Sequence, residues 1–115
     1  MAKIVQLKAS LELLGISLPE LPLSTLSVDE VSHHPAWEVA ASGTQAINFG
    51  GVTTASVVVI RGDRALTYTL NSGSDAITVN AEGIVILFNV SVTALSITNS
   101  DSSNTLVLDV VIAGT

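Results

Sequence analysis

The chain has 115 residues, a length that fits one domain with a core of its own. Ten acidic residues against four basic ones give a net charge of −6. This balance excludes nucleic-acid binding, which needs clustered Lys and Arg, and it disfavours an anionic membrane surface as a partner. There is no cysteine, so disulfides and thiolate chemistry are excluded as well.

The composition favours β-structure and contact with other chains. Apolar residues make up 48% of the chain but aromatic residues only 3%. Val, Ile, Leu, Ser and Thr therefore dominate, and this mixture suits pleated sheets. The mean hydropathy of +0.61 is high, yet no apolar run approaches the ~20 residues that span a bilayer. We therefore expect part of the apolar surface to be buried against other subunits.

The first thirty residues are expected to form a strand followed by an extended arm. Apolar and polar residues alternate from Val5 to Leu13, as in a half-buried strand. Pro19 and Pro22 then exclude a helix interior or a central strand from the next segment. The arm carries four leucines that we expect to make contacts between subunits: Leu18, Leu21, Leu23 and Leu26. No signal peptide is expected at this end.

The polar segment "SVDEVSHHP" at 27–35 is interpreted as a turn or a single helical turn that Pro35 stops. Eight short apolar runs with polar separators follow it. These predicted strands cover 36–41, 44–49, 53–60, 65–70, 76–80, 83–90, 93–99 and 105–113. Such spacing predicts an all-β fold, an antiparallel jelly-roll-like sandwich of eight or nine strands. The N-terminal strand and the extended arm then cover residues 1–30 and the sandwich body residues 31–115, in one domain overall.

The tripeptide Arg61-Gly62-Asp63 separates two of the clearest predicted strands. We interpret it as a tight hairpin connection, in which Gly62 adopts a positive φ and Asp63 bonds to its own backbone. The alternative is a cell-adhesion signal, which three residues alone support weakly.

No catalytic, cofactor or metal site is expected. His33 and His34 form the only histidine pair, and adjacent residues of an extended chain point in opposite directions. The turns at 71–75 and 99–104 have oxygen-rich side chains that leave calcium binding open, but turn chemistry explains the same residues. Trp37 is interpreted as a core residue, with a contact between subunits as the second interpretation.

A resemblance appears from residue 43 onward. It is carried by the strand entry "GTQ", by "VTT" after a glycine, by the turn "AEG" before an apolar strand, and by the final "VIAG". In these features the chain resembles small virion proteins of tailed bacteriophages, of the capsid cement (decoration) type. The resemblance covers about two thirds of the sequence and includes no catalytic motif.

The resemblance implies a non-enzymatic protein on the outer surface of a virion. It would bind the lattice of the major capsid protein as a homo-oligomer, typically a homotrimer, and stabilise it against internal pressure. Two alternatives stay open from the sequence. One is a tail, neck or baseplate subunit, and the other is a β-sandwich module that binds a host receptor or a carbohydrate through its turns.

Overall fold

The computed structural model describes the backbone of residues 3–7, 12–13, 16–17 and 24–115, and side chains from residue 27 onward. These residues contain twelve strands and no helix. The strands are β1 (Lys3–Leu7), β2 (Glu12–Leu13), β3 (Ile16–Ser17), β4 (Ser24–Val28), β5 (Glu30–Val39), β6 (Thr44–Ala46), β7 (Ala55–Gly62), β8 (Leu66–Leu70), β9 (Ile77–Val79), β10 (Ile84–Val92), β11 (Leu95–Asn99) and β12 (Leu106–Gly114).

Strands β5 to β12 form a sandwich of two four-stranded antiparallel sheets. Sheet I has the order β10-β7-β12-β5, and sheet II has the order β6-β11-β8-β9. The chain folds as one long antiparallel hairpin that is rolled up, because β5 pairs with β12, β6 with β11, β7 with β10 and β8 with β9. This is the strand order of a jelly roll. The fold class predicted from the sequence is confirmed, and each of the eight predicted strands of the body overlaps an observed one.

The main core lies between the two sheets. Strand β12 contributes Leu106, Leu108, Val110 and Ile112, all at 1% exposure or less. Across from them, sheet II contributes Leu66, Tyr68, Leu95 and Ile97. Alternation along each strand places these residues on the inner faces, and each fully buried Leu, Ile or Val stabilises the fold by about 1.5–3 kcal/mol relative to exposure.

The interpretation of residues 27–35 as a turn is wrong. Strand β5 runs from Glu30 through Pro35 to Val39. The strand tolerates the proline because β5 is an edge strand of sheet I, and because Pro35 and Ala36 together face the single residue Asp109 in a β-bulge. Ala36 has a φ of 52°, and its N–H donates to Asp109 Oδ1 at 2.9 Å. Pro35 has no N–H to donate, and at this bulge its absence interrupts no hydrogen bond between β5 and β12.

The start of the chain agrees with the predictions only in part. Strand β1 covers the first part of the strand predicted from Val5 to Leu13, and residues 8–11 lie outside the described part. Within the predicted arm, Ser24–Val28 forms β4, which pairs antiparallel with β1. The C-terminal end of the predicted arm is therefore paired β-structure, and residues 18–23 of the arm lie outside the described part.

We predict that two neighbouring residues of β12 respond very differently to truncation. Ile112→Ala removes a fully buried side chain from the main core and should cost about 3 kcal/mol of unfolding free energy. Val111→Ala, on the outer face of the same strand, should cost about 1 kcal/mol or less. Urea denaturation measures both values, and equal losses would contradict the assignment of inner and outer faces.

Candidate interaction surface

The outer face of sheet I is apolar, although outer faces of sandwiches are usually polar. The registers place its residues in two rows across the four strands. One row is Phe88, Val57, Ala113 and Val31, and the other is Ile86, Val59, Val111 and His33. Ile84 extends the face along β10. We call these residues, without His33, the apolar face.

Val28 covers one part of the apolar face. This residue ends β4, is 1% exposed, and forms a second small core with Val57 and Ala113, against which Val59 and Phe88 also pack. The chain then bends at Asp29, whose N–H donates to the carbonyl of Gly114 at 2.8 Å, and enters β5. The bend therefore places the end of β4 on the outer face of the sheet.

The rest of the apolar face remains open. Val31 on β5 is 44% exposed, and Ile84 and Ile86 on β10 are 58% and 47% exposed. Ile84 and Ile86 are neighbours on β10, and Val31 lies at the opposite edge of the same sheet face, on β5. Exposed aliphatic side chains that share one face of a sheet are typical of contact sites.

The outer face of sheet II has a different chemistry. Its registers align four threonines in one row across the sheet, in the strand order Thr44, Thr98, Thr67 and Thr78. The hydroxyls of Thr44 and Thr98 are 2.8 Å apart and hydrogen-bonded. With this threonine row on sheet II and the aliphatic rows on sheet I, the sandwich has one polar and one apolar outer side.

The hairpin interpretation of Arg61-Gly62-Asp63 is wrong. Strands β7 and β8 lie in different sheets, so the tripeptide begins a corner between the sheets. The sequence could not reveal this, because a hairpin and a corner use the same turn residues. Gly62 has no positive φ. Glycine is required here for steric reasons, since a Cβ would lie 2.9 Å from Leu66 Cδ2 and 3.0 Å from Leu106 Cδ1.

Both charged groups of the tripeptide have partners within the chain. The Val107 N–H donates to Asp63 Oδ1 at 2.9 Å, and the Asp63 N–H donates to the Val107 carbonyl at 3.0 Å. Arg61 Nη2 lies 3.3 Å from Glu82 Oε2 in an exposed ion pair, which contributes little stability. The aspartate carboxylate therefore fastens the corner to β12, which is a structural role.

The two histidines lie on opposite faces of β5, as the extended chain requires. His33 is exposed on the outer face beside Val111. His34 faces inward, and its Nε2 donates to the Asn48 carbonyl at 2.6 Å. A carbonyl oxygen only accepts, so this nitrogen carries a proton. Trp37 is half-buried against the main core and meets the His34 ring edge-on, with 4.6 Å between ring centroids.

The loop at 99–104 satisfies its own polar groups. Asp101 Oδ1 accepts from the N–H groups of Ser103 and Asn104, and Oδ2 accepts from the Asn104 amide and from Arg64. Asn99 is 1% exposed, and its amide donates to the carbonyls of Val39, Ala40 and Asn104. The sequence did not single out Asn99, because nothing local shows that it will be buried between strand ends.

The remaining predicted site residues lie at the start of the chain. Leu18, Leu21 and Leu23 are outside the described residues. Leu26 belongs to β4, opposite Val5 of β1, and its side chain is not described. Within the described part, no three His, Asp or Glu side chains are grouped so that they could hold a metal ion. That part also contains no helix of a length and hydropathy able to cross a membrane.

No protein-family model, curated protein or solved structure matches the chain.

We predict that Asp63→Ala destabilises the fold by about 1 kcal/mol, because the Val107 N–H loses its acceptor. Asp63→Asn keeps an acceptor oxygen at the same position and should cost clearly less. Denaturation midpoints of both variants check this. If the two substitutions were equally harmless, the carboxylate would be free and the structural role would be refuted.

The Asp101 carboxyl should make stability depend on pH. The N–H of Ser103, then the amide and N–H of Asn104, hold its pKa below its ordinary value of 3.8, and Arg64 adds to this effect. A lowered folded-state pKa contributes stability above the unfolded pKa, and this stability is lost as the pH falls below about 4. The difference in melting temperature between the wild type and Asp101→Ala should therefore be largest near neutral pH and shrink below pH 4. A constant difference would contradict the assignment.

Proposed function

We propose that this chain is a non-enzymatic structural protein of a virion. It acts as a capsid cement (decoration) protein that binds the major capsid protein lattice on the outer surface as a homo-oligomer, typically a homotrimer. The resemblance in residues 43–115 supports the class of protein. The single observation that supports assembly as the activity is the open apolar face of sheet I.

The apolar face has the chemistry of a contact surface. Burial of apolar area is favourable by roughly 25 cal/mol per Å², and Val31, Ile84 and Ile86 still have about half their surface in solvent. Its two rows include no charged residue, so a partner docks there without desolvating an ion. Arg61 and Asp109 lie opposite each other one row further along, in the row that begins with Ile84, and would form a polar rim.

We propose that the start of the chain enlarges this contact. Val28 is seated on the apolar face, and the segment with Leu18, Leu21, Leu23 and Leu26 precedes it directly. Pro19 and Pro22 favour an extended conformation and lower the entropy that is lost on docking. We propose that these leucines contact neighbouring subunits and that Trp37, on the edge strand β5, is a secondary contact.

The proposal is tested on the source particle and on its capsids. Cryo-electron microscopy of the purified particle should show the sandwich on the outer capsid surface. Density on the tail, neck or baseplate would instead make the chain a subunit of that structure. A particle that lacks the chain would refute the proposal in both forms.

A charge placed on the apolar face should abolish capsid binding. Val31→Lys puts a cation on the apolar face at its β5 edge, and we expect at least a tenfold loss in co-sedimentation with emptied capsids. Thr69→Lys adds the same charge to the outer face of sheet II and is the control that should bind normally. If Thr69→Lys were the variant that loses binding, the capsid would contact sheet II and the apolar face would be excluded.

A further inference from the structure

Strand β10 is an edge strand with unusual composition. It has nine residues, "IVILFNVSV", with no charge and no proline. In the part of the chain that the structure describes, its strand neighbour is β7, on one side. An edge strand presents N–H and C=O groups that can pair with another chain, and proteins usually protect long edges of this kind.

The other three edges of the sandwich are protected. Strands β6 and β9 have three residues each, which is too short for stable pairing. Strand β5 has the bulge at Pro35 and Ala36, and it carries Glu30 and Glu38. Short length, bulges, proline and charge are the usual devices against edge pairing. Among the four edge strands of the sandwich, only β10 has none of these devices over its first half.

The regular half of β10 runs from Ile84 to Phe88. Its register with β7 is continuous there and becomes irregular before Val92, where Asn89 has a φ of 59°. Ile84, Ile86 and Phe88 belong to the apolar face. Val85 and Leu87 point inward and are half-buried at the open side of the main core. A strand added here would cover apolar side chains on both faces of the sheet.

We propose that β10 pairs antiparallel with β10 of a second copy, across a twofold axis centred on Ile86. This inference rests on the proposed self-association and names the edge that makes the contact. A twofold axis perpendicular to the sheet keeps both apolar faces on the same side, so that residues opposite each other match in face. Ile86 then lies opposite its own copy, Ile84 opposite Phe88, and Val85 opposite Leu87.

This register uses the whole regular segment. Centring the axis on Val85 or Leu87 would pair an inward residue with itself and leave one end of Ile84–Phe88 without a partner. Centring it between two residues would set an inward side chain opposite an outward one, which a continuous sheet does not allow. The result is one eight-stranded sheet, to which each copy contributes its sheet I. With the threefold contact that the resemblance implies, the same edge would join trimers in pairs.

The contact is small when compared with a stable dimer. Five paired residues bury less than the ~1,600 Å² of a standard interface, so we expect association in the micromolar range for the free protein. On a lattice, neighbouring copies are held close together, and their high effective concentration would strengthen the same contact.

Single cysteines test the register, because the chain has no cysteine of its own. Residues directly opposite in an antiparallel pair have Cβ atoms about 4.5–5.5 Å apart, close to disulfide distance. Ile86→Cys should therefore form a covalent dimer under mild oxidation, seen on a non-reducing gel. Ile84→Cys is the matched control: it is more exposed, but the two copies would lie roughly 14 Å apart along the strands, at four residues of ~3.4 Å each.

The two cysteine variants give a clear decision. Rapid dimer formation by Ile86→Cys, at least tenfold faster than by Ile84→Cys, supports the proposed pairing. Equal rates would mean random collision, and a faster rate for Ile84→Cys would mean another register. Either result overturns the proposal, as does the absence of any cross-link at 200 µM protein.

Sedimentation velocity distinguishes association through the β10 edge from association through the apolar face. Ile86→Lys should abolish the twofold step of concentration-dependent association, whereas Val31→Lys, at nearly the same exposure on the other edge strand, should preserve this step. Loss of association in both variants would assign the contact to the whole apolar face and overturn edge pairing. Edge pairing without capsid binding would refute the proposed function alone, and capsid binding by a protein that forms no β10 pair would refute this inference alone.

Discussion

The pairing of β12 with strands on both of its sides is the constraint on which the rest of the structure depends. Its register with β7 and β5 sets which side chains of sheet I face inward. Alternation then sends Leu106, Leu108, Val110 and Ile112 into the main core, and Val107, Asp109, Val111 and Ala113 outward. A shift by one residue would exchange these two sets. The buried aliphatic set fixes the register, and the register creates the apolar face.

In the jelly-roll order, the polar residues of the loops have structural roles. Because most connections cross from one sheet to the other, backbone groups at the corners lack ladder partners and need side chains to satisfy them. Asp63 does this for Val107, His34 for Asn48, and Asn99 for the ends of β5 and the 99–104 loop. Residue types that elsewhere perform catalysis or adhesion are used here to close the sandwich.

The two outer sides of the sandwich connect the fold with the proposed function. A polar threonine row covers sheet II, whereas aliphatic side chains cover sheet I; among the side chains that the structure describes, Val28 packs on part of them. The exposure of Ile84 and Ile86 is the observation on which the proposed contact with a partner rests. The unprotected edge of β10 adjoins the same surface, and its backbone offers a directional contact that the face lacks. At the β10 edge, an assembly could therefore use both burial of apolar side chains and strand pairing.

The sequence by itself determined the strands, since alternation and turn residues act within a few positions and β-branched side chains favour extended backbone. It also determined the fold class, because strands of this length without intervening helices close most readily into a sandwich. Only the tertiary structure decided that Arg61-Gly62-Asp63 is a corner, that β5 continues through Pro35, and that Asn99 is buried. Each of these depends on which distant strand becomes a neighbour, and local residue patterns do not contain that information. For the same reason, the aliphatic residues of β10 were recognisable as a strand, but not as an open edge.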